Sequence, residues 1–240
     1  VPRRAASIRS NDDGDFVVTL DNEREISAGS VVVATGVQYR KLPLARLEDF
    51  EGAGVYYAAT ETEARFCTNS DVVVIGGGNS AGQAAMYLCR TAKHVHVLVR
   101  SKSLAASMSS YLTNRLEAEP RITVHYETQL TVLHGGDQLE QATVKNSATG
   151  ETWTIDTNGV FIMVGAAPNT KWLKDCVELD DKGFIKTGPE VGSASPYGTS
   201  REGIFAVGDV RSGSVKRVAS AVGEGSVTIS AAWGYVNRPK

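Results

Sequence analysis

The segment VVVIGGGNSAG, residues 72–82, carries two chemistries in one stretch. Gly76, Gly78 and Ala81 fit the spacing GxGxxG/A, where the first glycine turns the chain tightly and the second lets a pyrophosphate approach the backbone. The third small residue lets helix and strand pack closely, and Asn79 and Ser80 open a helix whose N-terminal amides would face the phosphates. Gly78 to Gly82 also spell GxSxG, the strand-turn-helix pattern that exposes a nucleophilic serine, here Ser80. Such a nucleophile takes its histidine late in the chain, after the acid, yet the four histidines are His94, His96, His125 and His134. The dinucleotide reading is therefore preferred; a tight turn without a ligand is the bland alternative.

The strand after the glycine turn ends in Arg100, Ser101 and Lys102, where an NAD-selective site would carry an acidic side chain for the ribose 2′-hydroxyl. Cations meet a 2′-phosphate instead, Arg as a two-pronged fork and Lys as a point charge, so NADPH is expected over NADH. A solvated strand end is the competing reading of the same residues. His94 and His96 share one face of a strand and are read as structural, with no metal site expected. Cys67, Cys89 and Cys176 are odd in number and far apart, with no CxxC and no zinc spacing, which suggests a reducing, cytoplasmic setting.

These residues need elements to hold them. Residues 71–75 read as a buried strand, 80–91 as a helix and 94–99 as the next strand. That is a βαβ unit, implying an α/β fold with a parallel sheet and a right-handed crossover. A helix over 108–117, a strand at 122–125 and a meander through 129–145, 152–156 and 159–164 follow. Before the unit, short strands at 16–20 and 30–34 flank turns at 11–14 and 21–25, and 41–54 loses the strand pattern. After it, 166–203 is loop-rich, 204–207 is a strand, and a helix runs over 217–235.

With 240 residues the chain holds one large or two small domains at roughly 150 residues each. Lys and Arg number 25 against 27 Asp and Glu, a net charge of −2 without long runs of either sign, which removes the basis for nucleic-acid binding. The apolar stretches are far shorter than the ~20 residues of a membrane helix, so no membrane partner is expected. The first ten residues hold no apolar signal core and open on Val, which suggests a natural start upstream.

ATG at 34–36, GGGNSA at 76–81, the strand and Arg at 95–100, GAAPNT at 165–170 and GIFAVGDV at 203–210 occur in an order that resembles the low-molecular-weight thioredoxin reductases, of the pyridine nucleotide-disulfide oxidoreductase superfamily. The resemblance covers almost the whole chain. It implies two-dinucleotide-binding-domain flavoprotein architecture, with a Rossmann-like NAD(P)H domain at 46–165 inserted in an FAD domain whose pieces are 1–45 and 166–240. It also implies a homodimer, FAD and NADPH as cofactors, and a small redox protein or small-molecule electron acceptor as partner. On that map Thr35, Gly36, Gly208 and Asp209 meet the FAD, Asp209 on its ribityl-phosphate side. Lys216, Arg217 and Val218 begin a helix whose amides face the pyrimidine end of the flavin, where a positive helix end stabilises the charge of the reduced ring. Segments 42–51 and 164–170 would form a hinge.

Two departures stand out. The family's N-terminal GxGxxG does not occur in these 240 residues, so on the resemblance the FAD domain is expected to be incomplete here. The redox CxxC would align with Ala59-Thr60-Glu61-Thr62, so electrons would leave the flavin for an acceptor that is not a built-in disulfide. No side chain is expected to act as acid or base in the hydride step. The alternative is a non-catalytic NAD(P)H-binding regulatory module or fragment.

Overall fold

Short alternating runs separated by turns make the opening stretch antiparallel. The computed structural model describes residues 2–11, 14–173 and 175–238, and the turn expected at 11–14 includes Asp12 and Asp13, which lie outside the described residues. Strands β1 (Ala5–Ser10), β2 (Phe16–Leu20) and β3 (Glu25–Ala28) form a meander in that order. Next come β4 (Val31–Val33), β5 (Val37–Tyr39), β6 (Val55–Tyr56) and helix α1 (Glu61–Phe66). The glycine turn lies between β7 (Asp71–Ile75) and α2 (Asn79–Leu88), followed by β8 (His94–Val99), α3 (Ser110–Ala118) and β9 (Ile122–Tyr126). Strands β10 (Thr128–Gly135), β11 (Leu139–Asn146), β12 (Thr152–Asp156), β13 (Gly159–Ile162), β14 (Ala166–Pro168) and β15 (Ile204–Ala206) precede the long α4 (Val218–Val236).

The chain divides into two compact units. Tyr39–Gly165 is inserted between a segment ending at Gln38 and a segment beginning at Ala166. The first division lies at residue 38 rather than near 45, because Leu42 and Leu44 pack against a core of the inserted unit. Strands β5 and β14, which carry the two passages of the chain, pair with each other.

The inserted unit is built on a five-stranded parallel sheet in the order β6-β13-β7-β8-β9, a Rossmann-like α/β arrangement. One face packs Val72, Val74, Val95 and Val97 against Ala81, Ala85, Leu88, Leu112 and Leu116 of α2 and α3. The other packs Val73, Ile75, Leu98 and Val160 against Leu130, Ala142 and Val144 of the antiparallel β10-β11-β12 sheet. This corrects the expected meander: 159–162 leaves it and enters the parallel sheet between β6 and β7. All four residues of β13 are buried, so the strand needs cover on both faces, which a central position supplies. Helix α1 was not expected; Thr60 and Glu63 close its N-terminus in a capping box.

In the other unit β15 lies parallel to β4, and Phe16, Val33, Ile185, Ile204, Ala206 and Val210 form its core. Helix α4 buries Glu224 and Thr228, while Val218, Val222, Ile229 and Trp233 are exposed. No helix among the described residues is long and apolar enough to cross a membrane.

Candidate functional site

Strand β7 is buried from Val72 to Ile75 and delivers the chain straight into Gly76. Gly76 adopts φ +145°, and a Cβ there would lie 2.5 Å from the Met163 carbonyl oxygen and 3.1 Å from Cβ of Ala81. Only glycine permits this approach. Gly78 is the N-cap of α2, and no side chain caps the helix; no acidic residue stands in its first turn. The first amides of α2 are left for an anion, with the positive end of the helix behind them. Ala81 is fully buried, as a close helix–strand contact requires. Asn79 Oδ1 accepts from the Ser109 amide at 2.8 Å, and Ser107 Oγ donates to the Gly77 carbonyl at 2.7 Å. The loop after β8 is thereby tied to the glycine turn, a pair of contacts that sequence spacing does not announce.

Parallel pairing of β7 with β8 brings Arg100, Ser101 and Lys102 to the same end of the sheet as Gly76 and Gly78. All three are exposed; Ser101 Oγ donates to the Ser103 carbonyl, and Lys102 lies 3.9 Å from Glu127. Among the described residues Arg100 makes no ion pair, so its guanidinium is available. Ser80 is exposed, and no histidine bonds to it among the described residues: His94 bonds Thr123, His96 bonds His125 and His134 bonds Thr143. That arrangement holds no base for a serine nucleophile.

In the other unit, Thr35–Gly36 and Gly208–Asp209 leave the paired strands β4 and β15 at the same end. Thr35 Oγ1 donates to the Asn169 carbonyl at 3.0 Å, and Asn169 Nδ2 donates to the Thr35 carbonyl at 2.8 Å, which fixes the turn. Asp209 makes no side-chain hydrogen bond among the described residues and is free to accept. Its turn is held by Glu224 of α4, whose Oε2 accepts from the Gly208 amide at 2.6 Å while Arg211 binds the same carboxylate at 2.7 and 3.1 Å. Burial pushes the Glu224 carboxyl up, but Arg211 and the Gly208 amide outweigh it and leave it below the ordinary carboxylate range. Lys216 lies over the Phe184 ring at 4.8 Å. Arg217 is the N-cap of α4 without a side-chain cap, Val218 is exposed, and the nearby Ser214 Oγ is buried without a partner. The open amides, the free Asp209 and the orphaned hydroxyl suit a polar ligand such as a flavin's side chain; the uncapped α2 with Arg100 and Lys102 suits a phosphorylated dinucleotide.

The model of the family described as pyridine nucleotide-disulphide oxidoreductase matches residues 4–225. The chain belongs to that family. It is 36% identical over 214 residues to a thioredoxin reductase of Streptomyces clavuligerus, covering 88% of this chain and 64% of the relative. It is 33% identical over 218 residues to NADPH-dependent thioredoxin reductase 3 of Arabidopsis thaliana, covering 90% and 40%. The solved thioredoxin reductase of Streptococcus pyogenes superposes with a TM-score of 0.82 at 30% identity, over 98% of this chain and 73% of that one. The chain thus spans less than two thirds of the length of these two curated relatives.

Residues 59–62 lead into α1, with Thr60 as its N-cap, and contain no cysteine. Cys67 and Cys89 are buried, and burial, with the charge of Glu63, raises the Cys67 thiol to about 11. A value that high favours the thiol over the nucleophilic thiolate at neutral pH.

Proposed function

We propose that the chain works as an FAD-dependent NAD(P)H oxidoreductase of thioredoxin-reductase-like architecture, passing hydride from NADPH to FAD and electrons on to an acceptor other than a disulfide within this chain. The unit Tyr39–Gly165 holds NADPH, and the flanking segments hold FAD. The uncapped start of α2 at Gly78, beside Arg100 and Lys102 on the neighbouring strand end, carries this reading. When bound, nicotinamide and flavin supply the two-electron chemistry. The protein binds and orients: α2 amides receive the pyrophosphate, Arg100 forks onto the 2′-phosphate, and Asp209 and the α4 amides receive the flavin. The family resemblance supports a cytoplasmic homodimer with a small redox protein or small molecule as acceptor.

Titration with NADPH and NADH tests the nucleotide assignment. Arg100→Ala should weaken NADPH at least tenfold and NADH less than twofold; equal losses overturn the 2′-phosphate role. The competing reading is a nucleotide-binding module without flavin turnover. Visible absorption recorded anaerobically before and after NADPH separates the two. A flavin band that bleaches supports the oxidoreductase, and NADPH binding without a flavin band favours the module.

A further inference from the structure

The two groups that would hold the nucleotide lie on segments far apart in sequence. The α2 amides follow the turn 76–78, and Arg100 opens the loop that runs from β8 to α3. A ligand that touches both binds well only if their separation is set before it arrives, since ordering a loop on binding costs affinity. The loop is stiff along its own length. Ser101 Oγ donates to the Ser103 carbonyl at 2.8 Å, and the Ala105 amide donates to Ser103 Oγ at 3.1 Å. The Ser107 and Met108 amides both donate to the Leu104 carbonyl, at 3.0 and 2.9 Å. Leu104 and Met108 are buried in the core that α2 shares, and a Cβ on Gly82 would lie 3.0 Å from Cε of Met108.

Apolar contacts of this kind fix how deep the loop sits, but they are not directional. Direction comes from two hydrogen bonds that each bridge 30 residues of sequence, Ser107 Oγ to the Gly77 carbonyl at 2.7 Å and the Ser109 amide to Asn79 Oδ1 at 2.8 Å. The approach is close, with a Cβ on Gly77 falling 3.5 Å from Ser107 Oγ and 3.6 Å from Cδ2 of Leu104. One tie ends on the glycine turn and the other on the first residue of α2, so both act on the segment that presents the α2 amides. We propose that Ser107 and Asn79 are positioning residues for the adenosine 2′-phosphate. Their side chains hold the loop where Arg100 reaches that phosphate while the pyrophosphate sits on the helix. The inference rests on the nucleotide assignment proposed above and adds the residues that set its selectivity. A nucleotide without the 2′-phosphate uses the α2 amides alone and gains nothing from the ties. The ties therefore act on the choice between nucleotides, whereas a purely structural role would act on both alike.

The test is calorimetry on the full chain with NADP⁺ and NAD⁺, which leave an oxidised flavin unreduced. Wild type, Ser107→Ala, Asn79→Ala, Arg100→Ala and the double variant Ser107→Ala with Arg100→Ala are compared, with thermal unfolding of each as the check on folding. Alanine at 79 keeps the main-chain amide that a phosphate would use. Ser107→Ala and Asn79→Ala should each weaken NADP⁺ about three- to tenfold, the worth of one hydrogen bond, and NAD⁺ less than about twofold. Either variant stands as the test should the other fail to fold. In the Arg100→Ala background Ser107→Ala should cost NADP⁺ less than about twofold more, because the group it positions is gone. Wild-type NADP⁺ affinity in a folded single variant, equal losses for both nucleotides, or additive losses in the double variant overturns the positioning role. If Arg100→Ala still abolishes a wild-type preference for NADP⁺ in that case, the nucleotide assignment stands and only the positioning role falls. Equal wild-type affinity for the two nucleotides, or equal losses in Arg100→Ala, overturns both.

Discussion

Glu224 is 8% exposed and gathers the Gly208 amide and the Nε and Nη2 of Arg211 onto one carboxylate. Glu224→Ala would strip the Gly208 N–H of its acceptor and leave Arg211, itself 14% exposed, with the Thr187 hydroxyl at 2.9 Å. Removing one partner of a buried ion pair costs about 3–5 kcal/mol, because the remaining charge stays desolvated. In a unit of this size 1 kcal/mol moves Tm by about 4 °C, so a loss of about 12–20 °C is expected. Thermal unfolding followed by circular dichroism at pH 7 measures it. The double variant Glu224→Met with Arg211→Met removes both charges and should regain most of the loss, less about 1 kcal/mol for the Gly208 amide. A single-variant shift under about 3 °C, or a double variant no better than the single, would refute the reasoning. The sign with pH follows from the lowered folded pKa: the contribution of Glu224 is complete above the ordinary carboxylate value and fades as pH falls through the folded one. Wild type and Glu224→Gln should therefore converge in stability toward acid pH.

His125 is held to about 4 by burial first and by His96 and His94 next, so the neutral form belongs to the folded state. Its contribution is complete above the ordinary histidine value and is lost as pH falls from about 6.5 toward 4; His125→Phe should flatten the urea midpoint over that window, and an unchanged slope would count against the assignment. Burial raises the thiols of Cys67, Cys89 and Cys176, the last being the most accessible. A thiol-reactive dye at pH 8 should label Cys176 first and reach Cys67 and Cys89 only on unfolding, whereas rapid native labelling of Cys67 would show a thiolate there.

The β7-α2-β8 unit was legible because a continuous apolar run, a glycine cluster and a second apolar run are local signals, and they set where Arg100 emerges. The destination of β13 was not: its four residues read equally as a meander strand or a central one, and only the register of Val160 on Val73 decides. Helix α1 did leave a local mark, Thr60 followed by Glu63, but six residues give no helical period to corroborate it. Leu42 and Leu44 looked like linker because the Pro and Gly around them outweigh two leucines, and the core that claims them is distant in sequence. At the candidate site, glycines and cations could be read from spacing. Asn169, Arg211 and Glu224 could not, since their roles arise from pairings such as Thr35 with Asn169 that only the folded chain creates.

The two turn glycines separate folding from ligand binding. Gly76 answers to the sheet: its φ and the Met163 carbonyl 2.5 Å from a would-be Cβ mean that Gly76→Ala disturbs β7 against β13 with or without a nucleotide. Loss of binding in that variant would say little about function. Gly78 has φ −98° and ψ 174°, extended backbone open to any residue, and the nearest atom to a Cβ is the Ser107 carbonyl oxygen at 3.8 Å. The fold therefore tolerates Gly78→Ala with only the weaker capping of alanine, about 1 kcal/mol. A pyrophosphate on the α2 amides would instead meet the new methyl group. Calorimetry on Gly78→Ala should show NADPH and NADH weakened alike, at least tenfold, with Tm lowered by no more than about 4 °C, in contrast to the NADPH-selective loss in Arg100→Ala. Wild-type affinity for both nucleotides in Gly78→Ala would mean that the close backbone approach does not occur, and the glycine turn would then be no more than the fastest way from a buried strand into a buried helix.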